Sequence, residues 1–314
     1  MRRSRLFLAA VALDSLVGDP ASLPHPVEWI GGAIAAFEPP SRSFFPRSPA
    51  GERGAGALHA GATIALAACT ARLLARNQSV AVVLAASSLA LRSLLDAARS
   101  VERALMVGDL ERARERLGRI VGRETAALNE SEIARATIET LAESLCDGVA
   151  APAFYLAFGG VAGAYAYKAI NTLDSIVGHI EAPYRDFGRF AARFDDLANY
   201  IPARLSVLGI ALAAHICGGR GFEVLRVQRR DGGLHRSPNA GQCEAAMAGA
   251  LARRLGGSNR YAGVVRDGAF LGAEFRTPSG EDIGRSIQIT ALAGACIFIA
   301  LFAVLFGAER RSGK

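Results

Sequence analysis

The chain has 314 residues, 51% of them hydrophobic, and a formal net charge of +7. Its mean hydropathy of +0.24 argues against an ordinary soluble enzyme and for a polytopic membrane protein. The arginines are dispersed and no nucleic-acid-binding motif accompanies them, so the charge points to anionic lipid and not to nucleic acid.

At the N-terminus Arg2, Arg3 and Arg5 precede an apolar run over 6–13. Ala10 and Ala12 imitate a signal-cleavage site, but the apolar core ahead of them is too short, so the segment reads as a retained membrane helix. It leads into LDSLVGDPASLPHPVEWIGG (13–32), which carries Asp14, Asp19, His25 and Trp29. Pro24 and Pro26 flank His25 and hold its backbone extended. Its imidazole can bind a ligand, move a proton or anchor the loop, and Trp29 suits an interfacial anchor. The stretch EPPSRSFFPRSPAGER over 38–53 reads as a loop. Apolar runs near membrane-spanning length follow at 56–74, 80–95, 149–167 and 287–307, with a shorter one at 205–217. The expected fold is therefore all-α: a polytopic integral membrane protein with about five spans plus membrane-associated helices, in one membrane-embedded enzyme domain over 1–314.

Two polar segments interrupt the spans. Residues 96–147 read as a charged helical hairpin. Within it, GDLERARERLGRIVG places Leu110, Ala113, Leu117 and Ile120/Val121 on one apolar face. In NESEIARATIETLAESLCDG, Ser131 is the expected N-cap. Glu132, Glu139 and Glu143 then fall at i, i+7 and i+11, and Asp147 follows by four, so one acidic face leads straight into the apolar run at 149. Uncompensated acid is costly at a membrane boundary, which favours a functional reading over a solvated face. Residues 218–286 form a Gly- and Arg-rich segment, with SPNAG at 237–241 followed by the Ala-rich QCEAAMAGALARRLGG.

The densest polar chemistry lies at 168–202. Lys168, Asn171, Asp174 and Ser175 recur at helical spacing, and Asp195, Asp196 and Asn199 lie on a second helix with Arg189 and Arg193. LDSIVG at 173–178 nearly copies LDSLVG at 13–18; one such match is expected roughly once by chance, so it is weak support for a repeat. As a similar solution at two helix ends, it predicts that Asp14 and Asp174 lie near one pocket. The five cysteines show no C-x-x-C spacing and suggest neither disulfides nor zinc. His59 and His215 sit in apolar runs and read as packing residues, while His179 and His235 stay open.

No phosphate loop, nucleophile elbow or H-E-x-x-H motif is present, and GGVAGAY at 159–165 reads as a close-packing site in a membrane helix. What remains is a set of carboxylates and cations beside spans. Mg²⁺ takes one or two carboxylates plus phosphate oxygens, and arginine grips phosphate with two donors. The combination suggests phosphate chemistry with a metal.

Four blocks, LDSLVGDPASLPHPVEWIGG, ETLAESLCDGVAAPAFY, AYKAINTLDSIVGHIEAPYRDFGRFAARFDDLANYIPARL, and SPNAGQCEAAMAGALARRLGG with YAG at 261–263, carry a resemblance from the N-terminus to about residue 263. The chain resembles the adenosylcobinamide-phosphate synthase family of cobalamin biosynthesis (CbiB/CobD type). It departs at Ser144, where the family carries Asn, and at Gln242-Cys243-Glu244, where the family is more apolar. The resemblance implies an enzyme of the bacterial inner membrane, a ligase that uses ATP and Mg²⁺. It would join adenosylcobyric acid to (R)-1-aminopropan-2-ol phosphate, or a related amino-alcohol phosphate, through an acyl phosphate. Further copies of the chain or other cobalamin-assembly enzymes are the partners it admits. Under it, Glu139, Glu143 and Asp147 are expected to handle metal, and Asp14, Asp19, His25, Lys168 and Asp174 to be catalytic. Asn171, Arg185, Asp186, Arg189, Asp195, Asp196, Arg204, Ser237 and Asn239 are expected to bind substrate or phosphate. ATP is cytoplasmic, so these blocks should meet on that side; hence 149–167 is expected to be re-entrant, or the site to lie in the membrane-facing core. The rival readings are a CDP-alcohol phosphotransferase, whose D-G-x-x-A-R is broken here by Pro152, and a transporter with intramembrane carboxylates.

Overall fold

A computed structural model describes residues 1–19, 25–179, 181–261 and 263–312. In chain order the helices begin with α1 (Arg3–Val17), α2 (Pro26–Ser43), α3 (Pro49–Leu74), α4 (Gln78–Ser88), α5 (Leu91–Met106) and α6 (Leu110–Gly118). They continue with α7 (Glu130–Ser144), a π-helical turn (Leu145–Ala150), α8 (Ala151–Val177), α9 (Arg189–Ala198), α10 (Tyr200–Gly218), α11 (Gly221–Asp231) and α12 (Ala240–Leu251). Four short strands, β1 (Leu255–Gly256), β2 (Asn259–Tyr261), β3 (Val264–Arg266) and β4 (Phe270–Leu271), precede the long α13 (Gly280–Ser312). Among the described residues, five helical runs are long and apolar enough to span a bilayer: Pro49–Leu74, Gln78–Met106, Glu130–Val177, Tyr200–Gly218 and Gly280–Arg311. Each contains one of the five apolar runs read from the sequence, and the protein is a multi-pass, all-α membrane protein.

The chain forms two compact units. The first comprises Met1–Ala90, Ala151–Asn199 and Leu301–Lys314. Its centre is where α8 meets α3 and α9, around buried Ala151, Tyr167, Ile170 and Ala198. Tyr155 and Tyr167 stack at 5.2 Å. The Tyr155 hydroxyl donates to the Ala198 carbonyl at 3.0 Å and that of Tyr167 to Asn199 Oδ1 at 2.8 Å. Tyr167 is thus buried and Tyr155 half-buried, each with its polar tip satisfied, as a membrane-embedded core requires.

Residues 38–53 are not one loop. α2 runs through Pro39 and Pro40 to Ser43, and α3 already begins at Pro49, capped by the Ser48 hydroxyl. The prolines weaken the last turn of α2, but tertiary contacts hold it. Arg42 pairs with Glu38 at 2.9 Å and also with Glu52, and its guanidinium lies 3.9 Å over the ring of buried Phe187. Phe187 ends a loop pressed onto α3, where a Cβ on Gly56 would come within 1.8 Å of the Phe187 carbonyl oxygen. Gly56→Ala must push that backbone aside, at a cost of about 1–3 kcal/mol. A thermal scan of the full-length variant checks this; an unchanged unfolding temperature would refute it.

The repeated LDS-x-VG ends a helix both times. Gly18 N–H donates to the Asp14 carbonyl at 2.8 Å, and Gly178 N–H donates to the Asp174 carbonyl at 2.8 Å. About a third of the way along α8 the backbone breaks at Gly160, with φ 64° and ψ −161°. Nothing lies within 4 Å of a Cβ built on Gly159 or Gly160, so these two glycines serve a helix break and not the close packing expected of GGVAGAY.

The second unit comprises Leu91–Ala150 and Tyr200–Ala300. Its axis is α12, buried along most of its length because alanine and glycine let α7, α10 and α11 close around it. Gly249 is one such approach, with the Glu223 carbonyl 2.9 Å from where a Cβ would sit. Ala113 and Leu117 of α6 are buried as the amphipathic pattern requires, but Ile120 and Val121 lie beyond the helix end. α7 starts earlier than expected. Asn129, not Ser131, is the N-cap, in a capping box closed by Glu132, while the Ser131 hydroxyl donates to the Pro278 carbonyl at 2.8 Å. β1 pairs with β4 and β2 with β3, both antiparallel.

Candidate functional site

A cavity of about 420 Å³ opens in the second unit. Four parts of the chain furnish its polar lining. α7 contributes Glu139 and Glu143, one helical turn apart on one face. The loop before α12 gives His235 and Arg236, and α12 itself gives Glu244. Arg123, from the irregular stretch after α6, and Asn259, Tyr261, Arg266 and Asp267, from the strand region, complete it.

Glu139 is tied down within this set. Arg123 reaches its Oε2 at 2.7 Å and Arg135 its Oε1 at 3.2 Å, and Gly256 N–H donates to Oε1 at 2.7 Å. Arg123 and Arg135 also donate to Asn259 Oδ1 at 2.7 and 3.0 Å. Burial works against the Arg123 charge, and Glu139 more than restores it, so its pKa lies above the usual arginine value. Glu244 is buried, at 6% exposure. Burial, and then the negative charges of Glu139 and Glu143, push its pKa well above the ordinary carboxylate range, with Arg123 opposing.

The SPNAG turn is ordered from within. The Ser237 hydroxyl oxygen accepts from the Asn239 and Ala240 amides at 3.3 and 3.2 Å. His235 Nδ1 accepts from Ser237 N–H at 3.0 Å, so its ring proton sits on Nε2, which faces Glu244 Oε1 at 3.9 Å. Asn239 Oδ1 accepts from Arg204 at 2.7 Å, and Arg204 stacks 3.8 Å over Tyr200. The structure therefore brings Arg204, Ser237 and Asn239 together, and Glu139 and Glu143 together. Asp147 falls in the π-helical turn, whose wider winding carries it out of the α-helical register, and it is not among the residues lining the cavity. The expected trio Glu139, Glu143 and Asp147 thus does not close into a metal cage. Among the described residues no group of three or more His, Cys, Asp or Glu side chains is placed to hold a metal ion.

The remaining expected residues belong to the first unit. Asp195 is buried and accepts from Asn199 Nδ2 at 3.0 Å and Asn171 Nδ2 at 3.5 Å. Burial, and then the charge of Asp174, push its pKa up to about 7. Asp196 is raised by burial, with Arg193 opposing. Lys168 is half-buried on the same helix as Asn171 and Asp174, and Asp14 is buried in α1. His25 caps α2. Its Nδ1 accepts from Val27 N–H at 3.2 Å, which leaves the proton on Nε2, 3.5 Å from Asp19. The Pro24 flank of His25 lies outside the described residues, as does Ala262 of YAG. Asp186 pairs with Arg53 at 2.9 Å, and Arg185 and Arg189 are exposed.

The sequence gives no site role to Arg123, Glu244, Arg266 or Asp267. Glu244 alone left a signal, as the single charged residue among residues 240–251 of an otherwise apolar helix. The others come from irregular or strand segments with no periodicity to read.

A model of the CobD/CbiB protein family matches residues 7–290. The cobalamin biosynthesis protein CbiB of Salmonella typhimurium is 42% identical over 306 residues, covering 95% of this chain and 96% of that one. The cobalamin biosynthesis protein CobD of Citrobacter koseri is 41% identical over 308 residues, covering 94% and 96%. That of Klebsiella pneumoniae is 41% identical over 300 residues, covering 92% and 93%. No solved structure matches significantly. By both the family match and these identities across nearly the whole length, the chain belongs to the CobD/CbiB family of cobalamin biosynthesis proteins.

Proposed function

We propose that the protein is an adenosylcobinamide-phosphate synthase, which uses ATP to ligate adenosylcobyric acid to (R)-1-aminopropan-2-ol phosphate or a related amino-alcohol phosphate. The site would face the cytoplasm from the inner membrane. Family membership supports the pathway. The observation that carries the chemistry is the cavity in which Arg123, Arg236 and Arg266 stand beside Glu139, Glu143, Glu244 and Asp267. Both substrates and ATP carry anionic groups, and the amine is a cation, so a lining of both signs suits them.

In the first step a propionate oxygen of the corrinoid takes the γ-phosphoryl group and ADP leaves. The amine nitrogen then attacks the carbonyl carbon. The C–N bond forms, the C–O bond to phosphate breaks, and the ammonium sheds two protons, one leaving with the phosphate and one going to a base. Arginines already in place offset the charge that develops on the transferring groups. Mg²⁺ would come with ATP on its phosphate oxygens and would polarise the transferring phosphoryl group. For the base, Glu143 and Glu244 are favoured over His25, whose Nδ1 lone pair is already used by Val27 N–H. Asp14 and Asp19 stay candidates in the first unit, and Lys168, Arg185 and Arg189 remain candidate phosphate contacts there.

The test is ADP release by the purified full-length protein in lipid. ADP and a corrinoid amide of the expected mass should appear only when corrinoid acid, amino-alcohol phosphate, ATP and Mg²⁺ are all present. ATP turnover indifferent to the two organic substrates, or ATP-independent uptake of either into vesicles, would replace this reading with another.

A further inference from the structure

Within the second-unit cavity the charges divide unequally. Glu139 is neutralised by Arg123 and Arg135, and Asp267 accepts from the Ser258 hydroxyl at 2.7 Å. Glu143 and Glu244 receive no hydrogen bond from any described residue, although Glu244 is 94% buried by its 6% exposure. His235 Nε2 stands 3.9 Å from Glu244 Oε1. A buried carboxylate in this condition is costly unless a cation arrives to meet it. On the exposed side of the same cavity stands Arg236, with no ion-pair partner among the described residues.

We propose that this cavity holds the amino-alcohol phosphate, with its ammonium between Glu143 and Glu244 and its phosphate on Arg236. The assignment rests on the ligase reading above and says where one of its substrates sits. The volume is adequate, since small-molecule sites occupy roughly 300–1,000 Å³. An organic ammonium fits this pair better than a metal ion does. With Nδ1 accepting from Ser237 N–H, His235 turns an N–H and not a lone pair toward Glu244. The arginines of the lining repel a bare divalent cation yet attract the phosphate end of a zwitterion. The ammonium has three donors, and the two carboxylates have acceptors to spare.

The experiment is calorimetric binding to the full-length protein in nanodiscs, with two probes: (R)-1-aminopropan-2-ol phosphate and propan-2-yl phosphate, which lacks the amine. Wild type should prefer the amine by about tenfold or more. E244Q and E143Q should each erase most of that preference while leaving affinity for propan-2-yl phosphate within about twofold. R236Q should weaken both probes alike. The preference is a ratio within one preparation, so partial loss of folded protein cancels from it. An unchanged ratio in both glutamine variants overturns the subsite. So does tight binding of Mg²⁺ alone that disappears in E244Q, which would make the pair a metal site. If wild type still ligates amine to corrinoid acid in those cases, the subsite falls and the ligase reading stands. If wild type neither binds the amine phosphate nor ligates it, both fall.

Discussion

Glu139→Ala is expected to lower the stability of the folded chain by about 3–5 kcal/mol, the usual cost of removing one partner from a buried ion pair. The Glu139 side chain is 3% exposed, and those of Arg123 and Arg135 are each 13% exposed. Without the carboxylate two guanidinium groups are left in a poorly solvated wall, and the Gly256 amide loses its acceptor. The damage is to charge balance more than to volume. Glu139→Ala combined with Arg123→Met should therefore recover part of the loss, because it removes one of the orphaned charges. Unfolding of the full-length protein in detergent measures both variants. A single-variant loss below about 1 kcal/mol, or a double variant no better than the single, would count against the buried network.

A second large effect is expected at Asp195. Its carboxyl has a pKa of about 7 in the folded chain, against an ordinary 3.8. The folded state therefore binds this proton more tightly than the unfolded state does. The associated stability is fully present below pH 4 and is lost as pH rises through 7. At ~1.4 kcal/mol per unit the change is on the order of 4 kcal/mol. Asp195→Asn keeps the size and the neutral form while removing the ionisation. The variant should unfold at similar temperature to wild type below pH 4 and at increasingly higher temperature as the pH is raised to 8. Parallel pH profiles for the two proteins would show that Asp195 ionises freely. The Asp174 charge is the second cause of the shift after burial, so Asp174→Asn should move the wild-type profile in the same direction by less.

The spans and the acidic face of α7 were legible because each depends on a local period. Apolar runs of bilayer length admit few alternatives, and Glu139 and Glu143 share a face whatever surrounds them. The rest depended on distant contacts. Pro39-Pro40 reads as a break, and only Arg42, Glu52 and Phe187, brought together by the fold, keep the chain helical there. Asp147 fits the α-helical spacing on paper, but the turn that carries it winds as a π-helix. Arg123 enters the site from an irregular stretch that announces nothing. Glu244 was passed over because alanines surround it, and those alanines are what allow the helix to be buried with its acid turned into a cavity.

Gly160 carries a last consequence, one of handedness. Its φ of 64° and ψ of −161° are the mirror image of polyproline II, and nothing lies within 4 Å of where a side chain would begin. Gly56 is the opposite case, an ordinary helical residue with no room beside it. An L-alanine fails at both positions for unrelated reasons, strain at one and collision at the other. A D-alanine introduced by chemical ligation would separate them: at 160 it would sit in a conformation natural to its own chirality, and the bend in α8 would be stiffened by the substitution rather than lost.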